Sequence, residues 1–263
     1  MAGTMARYQV ILAYDGAAFA GSQRQTSTAR SPVAKKRTVQ GELEDALRKL
    51  GWNGRSALLA GRTDSGVHAT GQVAAFDLDW PHADEDLLRA LNANLPADLA
   101  VRAVRIAPPT FHPRFDALSR RYYYRLFCQP VRHPLREKTA WRVWPEVDGE
   151  ALQATAALFI GRHDFAAYGS PPRAVGSTVR TVMQSAWKRL EDEWQYEVQA
   201  DAFLYRMVRR LVFVQAAVAQ GKIPAEAVAR SLAGQAEARE RGALPAGLAP
   251  AHGLILVEVC YPQ

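Results

Sequence analysis

The chain is poor in cysteine. Cys128 and Cys260 are the only two in 263 residues; they stand far apart in apolar, strand-like runs, and neither belongs to a C-x-x-C pair. This excludes a disulfide framework and a cysteine-based metal knuckle, and two reduced core thiols are the expectation. Long apolar runs are missing as well: no stretch approaches the ~20 residues a bilayer-crossing helix needs. The first residues lack the apolar segment and small-residue cleavage site of a secretory leader. The sequence reads as a soluble, cytoplasmic protein with no membrane partner.

Signatures of metal and nucleotide chemistry are absent too. The six histidines, at positions 68, 82, 112, 133, 163 and 252, never form H-E-x-x-H, and neither a P-loop nor G-x-G-x-x-G occurs. Asp77 and Asp79 make a D-x-D at a strand end that a two-metal site could use, and a solvated strand edge accounts for the pair equally simply. No metal and no cofactor are expected. What the chain does have is positive charge. Its 33 Lys plus Arg against 26 Asp plus Glu give +7 and a pI near 9.6, which suits a polyanionic partner.

Hydrophobic periodicity predicts α+β. Strand-like runs at 7–14, 56–60, 71–78 and 99–107 alternate with helical patterns, the clearest being Val39, Leu43, Ala46, Leu47 and Leu50 on one helical face. A second helix is predicted over Asp84 to Leu95. Beyond a Pro-rich connector at 108–119 the pattern repeats in kind: strand 120–127, a helix around 149–160, strands 177–190 and 193–201, helices 205–220 and 224–234, and a last strand within 253–262. The expected division is 1–110 and 111–263. Thr26 to Arg37, polar, basic and Pro-interrupted, reads as a mobile loop, either a phosphate contact or a solvated insertion.

Three stretches carry chemistry. Gly61-Arg62-Thr63-Asp64-Ser65-Gly66-Val67-His68-Ala69 places a carboxylate between two glycines that allow a tight loop with positive φ, beside Arg62, which would favour its ionised form. Arg120-Arg121-Tyr122-Tyr123-Tyr124-Arg125 interleaves cations with aromatics on a strand, with Tyr122 and Tyr124 on one face and Tyr123 and Arg125 on the other. Such a pattern serves phosphates and stacked bases, or simply a core. Arg206, Arg209 and Arg210 recur at i, i+3 and i+4 near a helix start, where positive charge opposes the macrodipole and an acidic partner would account for it. His68 is either a base or a histidine packed under the turn.

Those motifs, with YDGAAFAGSQRQ, TVQGELEDAL, NANLPADLAV, GRHDF, TVRTV and FLYRMVRR in consistent order from about Tyr8 to Tyr261, resemble the bacterial tRNA pseudouridine synthase A family. The resemblance implies a cofactor-free isomerase that converts uridine to pseudouridine at positions 38, 39 and 40 of the tRNA anticodon stem-loop. It implies two similar α/β halves sharing a central antiparallel sheet, helices on one side, a catalytic cleft between the halves, and a homodimer. By position, Asp64 matches the catalytic aspartate, Tyr122 the tyrosine stacked on uracil, and Arg209 the basic residue paired with the aspartate. Arg62 matches the arginine that helps displace the target base, and Leu204 an apolar lining residue. The sequence departs from the pattern at Ser22, where the family usually has an aromatic, and in the basic insertion after Gln25. Two rivals remain at this level: a catalytically silent RNA-binding protein, and a carboxylate glycosidase or metal-assisted nuclease built on Asp64 with Asp77 or Asp79.

Overall fold

Alternation of Tyr8, Val10, Leu12 and Tyr14 buries one face of a long first strand, β1 (Met5–Tyr14), and nearly every residue of β3 (His68–Asp79) is buried. The computed structural model describes residues 5–24, 36–171, 176–233 and 244–262. It divides into two units: residues up to Leu118 together with those from Leu256 onward, and Ser119–Ile255.

In the first unit, β4 (Leu99–Ala107), β1, β3 and β10 (Leu254–Cys260) lie in that order, and β2 (Leu58–Leu59) adds to β3. β1 runs antiparallel to β3, with Val10 opposite Ala74, and to β4. α1 (Val39–Lys49) starts at Thr38, whose hydroxyl accepts from the Gly41 amide at 3.2 Å, and buries Val39, Leu43, Ala46 and Leu47. α2 (Asp84–Asn94) opens on Asp84, Glu85 and Asp86, which suit the positive end of its dipole, and packs on β4 through Leu87 and Leu91.

Glu44 of α1 is fully buried. Its carboxylate accepts from the Ala57 amide at 3.1 Å and Gln40 Nε2 at 3.0 Å, and it faces Arg24 at 2.9 Å. The sequence places the unit boundary at 110; the contacts place it after Leu118. The connector is tied to the last strand: the Leu118 amide donates to the Cys260 carbonyl at 2.8 Å, the Tyr261 hydroxyl donates to the Pro113 carbonyl at 2.7 Å, and the Tyr261 ring meets Phe111 edge-on.

In the second unit β5 (Ser119–Cys128), β9 (Glu193–Ala200), β8 (Val179–Leu190) and β7 (Gly161–Asp164) are successive antiparallel neighbours, and β6 (Trp141–Val143) pairs parallel with β5. α3 (Gly149–Ala157) packs on β8 and on α4 (Met207–Ala219) and α5 (Ala225–Leu232). The core is aromatic, and three of its rings pair their polar atoms internally. Trp187 Nε1 donates to Gln215 Oε1 at 2.8 Å, the Tyr196 hydroxyl is 2.7 Å from Ser185 Oγ, and the Tyr168 hydroxyl is 2.7 Å from Ser231 Oγ. Burial pushes the Tyr168 phenol up to about 12.

The predicted helix over 205–220 begins only at Met207, because Arg206 takes a left-handed conformation, φ 63°. Of the predicted loop 26–37, all but Lys36 and Arg37 lies outside the described residues, and Arg37 is fixed: its guanidinium grips Asp98 with two bonds of 2.6 Å and stands over the Phe19 ring. Among the described residues no helix is long and apolar enough to cross a membrane.

Candidate active site

The loop that leads from β2 into β3 carries Asp64. The Val67 amide donates to the Asp64 carbonyl at 3.2 Å, closing a turn whose third residue, Gly66, has φ 81°, a conformation that favours glycine. Gly16 lies directly against the backbone of Val67, where a β-carbon would collide with the carbonyl. Gly61 is different from the expectation. It is not left-handed, and a β-carbon there would meet nothing; its contribution is its carbonyl, which accepts from Gln72 Nε2 at 3.0 Å.

Within that loop Thr63 is buried, Asp64 half-buried and Arg62 exposed. The Ser65 hydroxyl donates to the Phe19 carbonyl at 3.0 Å. His68 lies buried under the turn, its Nδ1 3.1 Å from the Gly16 amide nitrogen and 3.1 Å from Asp15 Oδ1, while Nε2 is a buried atom with no hydrogen-bond partner among the described residues.

Sequence reasoning missed the groups that hold this loop. Tyr14 sets its hydroxyl 2.9 Å from Thr63 Oγ1, and Ser22 exchanges two backbone-directed bonds with Thr63. A buried tyrosine just before Asp15-Gly16 is itself a signal, since its hydroxyl has to find a partner. Asp77, a carboxylate of the nuclease alternative, is committed elsewhere. Arg7 grips it with two bonds of 2.7 Å, and this holds the carboxyl below its usual range. Among the described residues no three metal-ligating side chains cluster.

The second unit supplies Tyr122, Leu204 and Arg209. Tyr122 sits on β5 opposite Val198, is only 8% exposed, and meets the Phe203 ring edge-on with centroids 5.1 Å apart. Tyr124, on the same face, is core: its hydroxyl donates to the Pro250 carbonyl at 2.9 Å, and burial drives its pKa well up, partly opposed by the charge of Arg209. Leu204 is buried, and its Cβ lies so close to Gly169 that a side chain there would collide with it.

The cations of this strand are engaged within the unit. Arg121 faces Glu197 at 3.7 Å, Arg125 holds Glu193 at 2.6 Å, and Arg120 donates to the Asp201 carbonyl at 3.0 Å. The alternation read from the sequence as a phosphate-binding pattern is thus largely a set of internal ion pairs on the strand face. The α4 arginines have internal tasks as well. Arg209 Nε donates to the Ala249 carbonyl at 2.8 Å, and Arg210 donates to the carbonyls of Pro245 and Gly247. Burial lowers the Arg210 pKa from its ordinary value.

A profile of the family described as tRNA pseudouridine synthase matches residues 11–116 and 155–262. The curated tRNA pseudouridine synthase A of Chloroflexus aurantiacus is 42% identical over 260 residues, spanning 96% of this chain and 88% of its own length. That of a Geobacter species is 38% identical over 260 residues, 98% of this chain and 100% of its own length. The Burkholderia thailandensis protein of the same name is 39% identical over 249 residues, 95% of this chain and 87% of its own.

Proposed function

We propose that this chain, which belongs to the tRNA pseudouridine synthase family, isomerises uridine to pseudouridine at positions 38, 39 and 40 of the tRNA anticodon stem-loop, with Asp64 as the reacting carboxylate. The observation that carries this reading is the presentation of Asp64: half-buried, one residue past a buried Thr63, on a turn that Gly66 makes possible. A carboxylate held this way has a fixed direction and an accessible edge.

The reaction breaks the bond from N1 to C1′, turns the uracil, and bonds C5 to C1′ of the same ribose. C5 loses its proton and N1 gains one, so oxidation states balance and water is not consumed. Asp64 acts from its ionised form, either as nucleophile at C1′ or as the base that opens the sugar. Arg209 orients that carboxylate through its planar fork. Tyr122 stacks on the ring and serves the late proton movement at C5. Leu204 lines the base's apolar side. Arg62, exposed and beside Asp64, takes the place the base leaves in the stem. Extrusion of the paired uridine costs a few kcal/mol, and phosphate contacts to a chain of net charge +7 offset it. The enzyme works as a cytoplasmic homodimer on tRNA.

Release of tritium from 5-tritiated uridine in tRNA, without strand scission or free uracil, tests the activity. Scission or free uracil would instead select the nuclease or glycosidase. Asp64→Asn keeps the side chain's shape and removes its charge, so turnover should fall by about 10²–10⁴-fold while tRNA affinity holds. Sedimentation of the protein alone tests the dimer.

A further inference from the structure

Thr63 is gripped at every polar atom it has. Its amide donates to Ser22 Oγ at 2.8 Å, its carbonyl accepts from the Ser22 amide at 3.1 Å, and its hydroxyl lies 2.9 Å from that of Tyr14. Ser22 is itself fully buried, and its carbonyl accepts from the Gln40 amide at 2.9 Å, which ties the grip to the first turn of α1.

Gln72 holds the start of the loop: its Oε1 accepts from the Val73 amide at 3.2 Å and its Nε2 donates to the Gly61 carbonyl at 3.0 Å. The frame is sealed, for Gln72 and Ser22 are fully buried and Tyr14 nearly so. With Thr63 immobile, the direction in which the chain leaves toward Asp64 is set.

We propose that Ser22, with Tyr14 and Gln72, is a positioning residue that aims the Asp64 carboxylate: it is the group that supplies an oxygen to the Thr63 amide. Ser22 touches no reacting atom; it acts through Thr63. The proposal rests on the reading of Asp64 given above.

The test pairs two readouts on the full chain, turnover on tRNA and hydrogen exchange of the loop. Ser22→Ala removes only the acceptor oxygen. The exchange of the 61–67 backbone should quicken by about fivefold or more, while α2 and the second unit exchange as in the wild type. Turnover should fall by about tenfold or more, as a misaimed group requires, with KM for tRNA unchanged. Tyr14→Phe, cutting the other side of the frame, should shift the same peptides, and Ser22→Thr, which keeps the oxygen, should restore both readouts.

If exchange in 61–67 is unchanged in Ser22→Ala and in Tyr14→Phe, the frame is refuted, whatever the activity. If exchange quickens but turnover holds, or if KM rises while kcat holds, the positioning role is refuted. A wild-type protein that releases no tritium sinks the functional reading instead, and the exchange of 61–67 still decides the frame.

Discussion

Tyr122 and Tyr123 are consecutive yet differ in the one respect that matters, since Tyr122 is buried against Phe203 and Tyr123 lies half-exposed on the opposite face. Tyr122→Phe removes only the hydroxyl and should leave stacking and tRNA affinity near normal while slowing turnover about 10- to 100-fold. Tyr122→Ala should damage both. Tyr123→Phe should match the wild type, and loss of turnover there with none in Tyr122→Phe would move the active tyrosine by one residue. Arg209 calls for a different control because its Nε already holds the Ala249 carbonyl. Arg209→Lys keeps the charge and loses the fork, so turnover should drop by about tenfold or more with a smaller change in affinity. A melting curve beside the kinetics separates that loss from simple loosening of the 244–250 segment. Wild-type turnover in Arg209→Lys would end the claim that a paired guanidinium orients Asp64.

The junction between the first strand's loop and α1 is held through Arg37. Arg37, just before the helix, holds Asp98 by two bonds and Glu42 by a third of 2.8 Å, and its own carbonyl accepts the Ala20 amide at 2.8 Å. The Arg37 bonds hold the Asp98 carboxyl below its usual range, with burial opposing. A carboxylate whose folded pKa is depressed stabilises above its unfolded value of about 3.9 and loses that contribution as pH falls through the folded value. Thermal melts of the wild type should therefore fall off below about pH 4. Asp98→Asn should have a lower melting temperature at neutral pH and a flatter acid limb; an unchanged acid limb would show that other carboxylates set it. The helices were the most legible elements. Val39, Leu43, Ala46 and Leu47 mark a helical face in any context, and all four are buried as the period requires. The strand expected over 56–60 is shorter in the structure, where the ladder to β3 covers Leu58 and Leu59. The turn that carries Asp64 was legible because Gly66 is local to it. Ser22 and Tyr14 were not, because a hydrogen bond joining residues dozens of positions apart leaves no mark in the spacing of either. The partners of the cations at 120, 121 and 125 were illegible for the same reason: the Asp201 carbonyl, Glu197 and Glu193 come from other parts of the chain.

At the scale of the molecule, charge predicts how tRNA is held. With a net +7 spread over the chain, affinity should weaken steeply from low to moderate salt, with a log–log slope of several units in magnitude. A nearly flat dependence would count against a basic RNA-binding surface. The chain's route has its own consequence. β3, into which the Asp64 loop runs, is completed by β10, whose backbone at Val257 lies so close to Gly71 that no β-carbon fits between them. A ribosome delivers β1, β3 and β4 first and must then translate the whole second unit, an interval of roughly ten to thirty seconds at ~5–20 residues per second, before β10 emerges. Until then the stretch of β3 around Gly71 has a bare strand edge, open to pairing with another nascent chain. The unit that is made first is therefore finished last, and the strand that follows the Asp64 loop is the part of it that waits for shelter.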